Sequence, residues 1–444
     1  RNNHHQQQQE QQQEQQQKQQ QQQNQPMTIN LADIDESDMD KIWAKEQYEI
    51  HHTEREAILY EIHGVKSRYN VEELEGDPER VKQAFIDFEN LLTSENNYNN
   101  SSSDNINNND YTCTEITPDL KQIYYYAINQ LKSTYICRQD FRIRFLRCEF
   151  FNIKKAVVRY LHCLSILHEY FGDKALLRQL FLSDLNQQEQ ILFKSGLIQI
   201  TPSRDSLGRR TLIRLGVLRD GTCQHELRRV ILYLRFQTLS EDITTQRNGI
   251  VGIQYGDKWT AQKTTTKIFH LTSTQSRYSI FEFQRKLMAS CPLRFSAIHL
   301  CLPDLNKLAV QFFKTLFMTI IGRSSRNILR FHEGTTMECN YSLQSFGIKL
   351  DDIPITYTGV RKLKMHNRFI KYQQAKEIDL EEQAFKLLSM EATATKNTLD
   401  ADAVKMDEYR KLYDDETNII ESFPFTSCPT ENCVIFRKNG MALG

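Results

Sequence analysis

The chain has 444 residues, enough for one large folded unit with extensions or for two domains. Lys plus Arg and Asp plus Glu both number 56, so the formal net charge is zero and no global basic field draws in nucleic acid by charge alone. Hydrophobic residues make up 39%, a low share explained by a glutamine-dominated start.

Residues 1–26 are mostly Gln with scattered Glu, Lys and His; they cannot bury apolar surface and are expected to be disordered, with some tendency to self-associate. Met27 would serve as a natural start, with residues 1–26 as an extension. Residues 27–94 form an acidic helical segment: one helix is expected over Asp40–Gly64 and another over Asp77–Leu92, where Asp77-Pro78 gives a strong N-terminal signal. Residues 95–116 are Asn- and Ser-rich and read as a flexible linker.

A helical subdomain is expected over 117–190. Asp140–Phe171 holds two helical patterns divided near Phe151-Asn152, with Leu146, Phe150, Ile153, Val157, Leu161, Leu164 and Leu167 at spacings of three and four, closed by Gly172. Arg142, Arg144, Arg147, Lys154, Lys155 and Arg159 run along it, as a solvated basic face or as a surface toward anionic lipid heads. From residue 191 the pattern changes. Strands are expected at Gly196–Pro202, Thr211–Leu215 and Gly249–Gly256, with a turn at Arg204–Arg210 and helices at Glu226–Leu239 and Tyr278–Cys291. Such alternation implies an α/β layer structure with a mostly parallel sheet. Residues 361–420 read as a polar helical extension and 421–444 as the start of a truncated segment.

The stretch 292–334 organises the rest. Phe295–Leu302 is a buried-strand pattern, Pro303-Asp304 breaks it, Leu308–Ile321 is helical, and Ile328–His332 is a second strand. Lys307, Gln311, Lys314, Thr315 and Thr319 occupy one arc of the helix, and the apolar remainder covers roughly 200°, where a one-sided surface helix needs about 100°. The surplus must meet more protein, a membrane or a bound lipid.

Ten cysteines are present without a CxxC pair; Cys148, Cys163 and Cys301 sit inside apolar patterns, as free core thiols in a reducing compartment do. No apolar run reaches the roughly 18 residues that span a bilayer, and no secretory h-region opens the chain, so a cytoplasmic address is expected. The dinucleotide GxGxxG, P-loop, GxSxG and HExxH motifs are all missing, and Cys428 and Cys433 have no nearby His for a zinc site. No catalytic or metal residue is assigned and no enzyme activity is expected.

Four segments resemble the CRAL-TRIO family, which includes yeast-type phosphatidylinositol transfer proteins and the tocopherol and retinaldehyde carriers. Phe145–Ala156 (FLRCEFFNIKKA) is similar to the helical FLRARKF(D/N)xxKA signature, and Asp205–Arg210 (DSLGRR) to the DxxGRP turn, with Arg210 in place of Pro. Pro292–Pro303 resembles the YPERxxxxxxINxP strand, and Ile353-Pro354 with Gly359 the closing LP…GG. The resemblance covers about residues 117–360. It implies a helical N-terminal subdomain followed by an α/β lobe, residues 191–360, around a hydrophobic lipid cavity. In that family the helix after the strand is a movable gate, so Leu308–Ile321 would be the gate, with Phe312, Phe313, Leu316, Phe317 and Ile320 toward the lipid. Lys314, eleven residues after Pro303, matches the headgroup lysine of the phosphatidylinositol-binding members. Leu293 stands where those members carry a headgroup glutamate, which leaves the lipid unnamed.

The expected function is therefore non-catalytic binding of a single hydrophobic lipid, a phosphoinositide or other small lipophile, and its transfer between membranes. The alternative is a regulatory or adaptor protein that keeps the fold without transport. Expected partners are the lipid, a transient membrane surface, and proteins reached through the Gln-rich and Asn-rich segments. No cofactor and no nucleic acid are expected, and the location is cytoplasmic with peripheral membrane contact.

Overall fold

The computed structural model describes residues 36–94, 116–216, 224–256 and 274–394. The Gln-rich tail, nearly all of the 95–116 linker, the extension past 394, residues 421–444 and Cys113, Cys223, Cys428 and Cys433 lie outside the described residues. Among the described residues no helix is long and apolar enough to cross a membrane.

The chain divides after Glu49. Before the division lies α1 (Glu36–Glu49), and after it α2 (His52–Ile62), where one continuous helix was expected. No Gly or Pro announces the break; His51 simply takes extended backbone, with ψ 144°. Gly64, at φ +69°, ends the α2 turn as the sequence implies. A short helix, Val71–Glu75, precedes α3 (Pro78–Thr93), whose cap is built by Asp77: its carboxylate accepts from the Glu79 and Arg80 amides at 3.0 and 3.3 Å.

Helices α4 (Pro118–Tyr125), α5 (Gln139–Cys148), α6 (Ile153–Phe171) and α7 (Gln187–Lys194) follow. Phe150 and Phe151, both with positive φ, turn the chain between α5 and α6, and Asn152 caps α6 by accepting from the Lys155 amide at 3.1 Å. Aromatic edges fill the centre of this region: Tyr160 lies 5.3 Å from Phe88 and 5.4 Å from Phe145, and its hydroxyl donates to the Ile136 carbonyl. Neither reading of the basic stretch holds for its arginines. Arg142 and Arg144 are buried, Arg142 pairs with Glu89, Arg147 with Glu75 and Arg159 with Glu149; Lys154 and Lys155 alone stay exposed. A helix covered on several sides can keep its arginines where acids neutralise them or, as at Arg144, where the Asp140 carbonyl and Ser240 Oγ accept their N–H groups. Arg159 also donates to the Met288 and Cys291 carbonyls, tying the helical region to the α/β part.

Strands β1 (Ile198–Arg204), β2 (Arg210–Leu215), β3 (Ile250–Tyr255), β4 (Phe295–Pro303) and β5 (Leu329–Gly334) form one sheet in sequential order. β1 runs antiparallel to β2, and β2 to β5 are parallel. Pro202 explains the place of β1, since a residue without an N–H is tolerated on an edge strand. Between strands come α8 (Gln224–Leu232), which continues as a π-helical turn Tyr233–Thr238, α9 (Ile243–Asn248), α10 (Thr274–Ser290) and α11 (Lys307–Ile320). Parallel strands added in one direction, each by a right-handed crossover, place their connecting helices on the same face. The opposite face is covered by α12 (Thr336–Gln344) and by α2; Tyr255 donates to Asn340 at 2.9 Å and His63 stacks on Phe346, which lies 4.7 Å from His299. Last comes α13 (Lys364–Ala394), held by the His366 ring against the Phe193 carbonyl at 2.7 Å and by Lys376 against Glu241 at 2.6 Å.

A helical N-terminal region followed by an α/β part with a five-stranded, mostly parallel sheet is thus the architecture of the described chain. Cys148, Cys163, Cys291, Cys301 and Cys339 are buried free thiols within it.

Candidate functional site

Strand register lays out the crossover face in rows. One row is Ile200, Leu212, Gly252, Ile298 and Leu329; the next is Ile198, Arg214, Gln254, Leu300 and Phe331. Gly252 matters because a Cβ there would lie 2.9 Å from the Phe295 ring. Without one, the ring lies against the backbone of β3, aided by a register shift between Ile250 and Val251. Above that ring sits Arg235, its guanidinium carbon 4.9 Å from the centroid. Ile298 and Gln254 are half-buried although β3 and β4 are interior strands, and Phe331 on the edge strand β5 is half-buried as well.

Arg214 sits in the second row, two residues along β2 from Leu212, the partner of Gly252, and within electrostatic range of Arg235. Burial and then the Arg235 guanidinium push Arg214 down to about 10, and burial lowers Arg235 as well. Among the described residues, neither guanidinium donates a hydrogen bond or meets a carboxylate, and Arg235 Nε is buried without a partner. Sequence reasoning passed over both. The available signal was Arg214 itself, a charge at an alternating position inside an otherwise aliphatic strand.

Helix α11 crosses this face toward β5. Asn306 caps it by accepting from the Ala309 amide at 2.8 Å, and Arg326 donates to the Met318 and Ile321 carbonyls at its other end. Ala309, Val310, Phe313 and Met318 are buried and Phe317 is half-buried; the side chains of Phe312, Leu316 and Ile320 lie outside those described. Lys314 forms an ion pair with Glu333 of β5, and its ammonium lies 5.9 Å from the Phe331 centroid. Glu333 is 44% exposed, so water screens the pair. Leu293 is fully packed before the start of β4, whereas Glu333 pairs with Leu302 near the strand's end. That separation is roughly 30 Å along an extended strand. Lys314 and Leu293 are not brought together.

The DSLGRR turn and the residues around Leu293 build a buried lock instead of a binding surface. Arg209 Nε donates to Asp205 Oδ2 at 2.6 Å, and Arg209 also reaches the Glu61 carbonyl and Ser296 Oγ. Glu61 accepts from Arg294 at 2.7 Å and from Arg68 at 2.8 Å. Burial pushes the Glu61 carboxyl up, but Arg294 and Arg68 overcome it and hold the group below the usual carboxylate range. At Arg294 the balance is reversed and burial lowers its pKa. We take the pair as ionised, because a guanidinium keeps its proton in proteins.

A second polar cluster lies on the opposite face. His299 Nδ1 and His332 Nε2 are 3.0 Å apart, and His332 Nδ1 is 2.6 Å from Ser342 Oγ. Burial lowers both rings, His332 to about 4 and His299 well below its ordinary value, with His332 adding to the effect on His299. The cluster is sealed under α12. Among the described residues no three His, Cys, Asp or Glu side chains converge on a metal position. A small cavity of about 60 Å³ lies at the β1 edge against α13, lined by Ile200, Arg210, Phe369 and Tyr372. It has room for a water or two but not for a membrane lipid.

No protein-family model matches the chain, and no curated protein matches it. Among solved structures ten chains are similar. One of them, a crystal structure of Sfh5, matches 67% of this chain and 97% of its own length, at a TM-score of 0.31 and 11% sequence identity.

Proposed function

We propose that the chain binds one hydrophobic lipid between the crossover face and α11, without catalysis, and carries it between membranes. The observation that supports this most is the partial accessibility of Ile298 and Gln254 on interior strands beneath crossover helices. Interior strand residues under a helical roof are accessible where floor and roof stand apart. A lipid exposes several hundred Å² of apolar surface, and removing it from water is worth on the order of 10 kcal/mol at about 25 cal/mol per Å².

In this reading Phe312, Phe313, Leu316, Phe317 and Ile320 make the apolar side of the lid, and Lys314 with Glu333 closes its polar edge. A screened pair of this kind contributes about 1 kcal/mol or less, so the latch is weak. Opening exposes the lid's apolar side, and a bilayer surface offers it a substitute environment. The test is native mass spectrometry of protein purified under mild conditions, followed by transfer of a fluorescent phospholipid between donor and acceptor vesicles. A lipid-sized adduct and protein-dependent transfer are expected. An adduct without transfer would favour the regulatory alternative, and protein with neither adduct nor transfer refutes the proposal.

A further inference from the structure

Interior arginines elsewhere in the described fold have acceptors for their N–H groups. Arg142, Arg147, Arg159, Arg204, Arg209 and Arg294 each pair with a carboxylate. Arg144 and Arg330 give their N–H groups to carbonyl or hydroxyl oxygens instead, whereas among the described residues Arg214 and Arg235 have neither kind of partner, on the face assigned above to the lipid. Burying two like charges within range of each other without a counter-charge is unfavourable, and removing water from each adds to the cost. Selection for stability alone would have replaced them or supplied an acid.

Their surroundings explain what is missing. Arg235 leaves the helix in a π-helical turn, a distortion often kept at functional sites, and rests on the Phe295 ring. Gly252 makes room for that ring. Gln254, next to Arg214 in the same row, spends its amide N–H groups on the Arg214 and Gly216 carbonyls, so it adds no negative charge. Both residues are half-buried rather than sealed, although Arg235 Nε itself is buried without a partner. Guanidiniums present planar donor pairs that suit carboxylate and phosphate oxygens.

We propose that Arg214 and Arg235 form an oxyanion subsite, and that the lipid carried by this chain is an amphiphile whose carboxylate or phosphate is held there. The inference rests on the lipid-carrier reading and adds the ligand's charge to it. Along the row, Phe331 lies three strands from Arg214, roughly 14 Å at about 4.8 Å per strand. The hydrocarbon would run over Leu300 and Ile298 toward the lid.

The experiment compares oleate with oleyl alcohol, equal in chain length and different in charge, on delipidated full chain by displacement of a fluorescent fatty-acid analogue. Tighter binding of oleate by about tenfold or more is expected, the size of one charge-assisted interaction. In the Arg214→Gln/Arg235→Gln variant the preference disappears while oleyl alcohol binds as before; Arg214→Lys keeps part of it. Equal binding of the two ligands by wild type overturns the oxyanion subsite and leaves lipid carriage standing. Binding of neither removes the carrier reading and the subsite with it. Acetate or inorganic phosphate is the third arm. If either alone, at millimolar concentration, protects wild type as fully as oleate does, the site takes a free anion and the amphiphile assignment is wrong. The wild-type comparison does not depend on the variants folding.

Discussion

Replacing Glu61 by Gln tests the buried lock most directly. The side chain is 1% exposed and accepts charge-assisted hydrogen bonds from Arg294 and Arg68, with Ser67 donating at 3.2 Å. Glutamine keeps the shape and removes the charge, which strands Arg294, itself only 7% exposed. Breaking one side of a buried pair costs about 3–5 kcal/mol, and each kcal/mol lowers the melting temperature of a large domain by about 2–4 °C. A fall of roughly 6–20 °C is expected by differential scanning calorimetry. The Glu61→Gln/Arg294→Met double variant should recover most of that loss, because an apolar replacement of both partners is often close to neutral. The pH dependence adds a signature. A carboxyl held below its ordinary value contributes stability that is present above the unfolded pKa and lost as pH falls through the folded one. The gap between wild type and Glu61→Gln should therefore be full near neutral pH and close below the usual carboxylate range. An unchanged melting temperature in Glu61→Gln, or a double variant worse than either single one, refutes the assignment of Glu61 as the lock's counter-charge.

Other predictions are independent of it. Glu333→Gln should leave the melting temperature within about 2 °C, since the Lys314 pair is screened, and should speed lipid exchange between vesicles if the pair latches the lid; an unaltered exchange rate rejects the latch. Gly252→Ala should cost about 1–3 kcal/mol in equilibrium unfolding, because the new methyl forces Phe295 off β3, whereas a neutral result would mean that the ring is free to move. His332, lowered from 6.5 to about 4, contributes up to about 3 kcal/mol that is complete above pH about 6.5 and lost as pH falls toward 4. A His332→Gln variant should show a flatter stability profile across that window, and an identical slope would exclude the ring as its source.

Local chemistry made much of this architecture readable in advance. Asp77-Pro78, Asn152 and Gly64 mark element ends because a cap or a positive φ is a property of a few neighbouring residues. Aliphatic runs such as Phe295–Leu302 mark interior parallel strands because both faces are covered. The pairings were not readable. Arg147 meets Glu75 and Arg294 meets Glu61 across separations of 72 and 233 residues, and no local spacing encodes such a partner. The basic stretch therefore looked like a surface. For the same reason the positions of Lys314 and Leu293, at opposite ends of β4, could be obtained only from the register of the sheet. Arg214 and Arg235 escaped notice because a guanidinium without an acceptor becomes conspicuous only when the acceptors of the other interior arginines are seen.

The ends of α11 have a consequence for how fast a lid could move. Asp304, at φ 56°, forms the joint after β4, and its amide donates to the Gly334 carbonyl at 2.7 Å while its carboxylate accepts from Thr336 at 3.0 Å. Those bonds belong to the sheet side. The Asn306 cap belongs to the helix side and travels with it, while Arg326, in the turn before β5, donates to the Met318 and Ile321 carbonyls at the other end. A swing about Asp304 would thus leave the Asn306 cap intact. The barrier would consist mainly of wetting apolar surface, which carries little enthalpy near room temperature and a large positive heat capacity. Exchange rates should then follow a curved Eyring plot whose slope steepens on warming, and a supply of anionic or zwitterionic bilayer should lower the barrier by replacing the water.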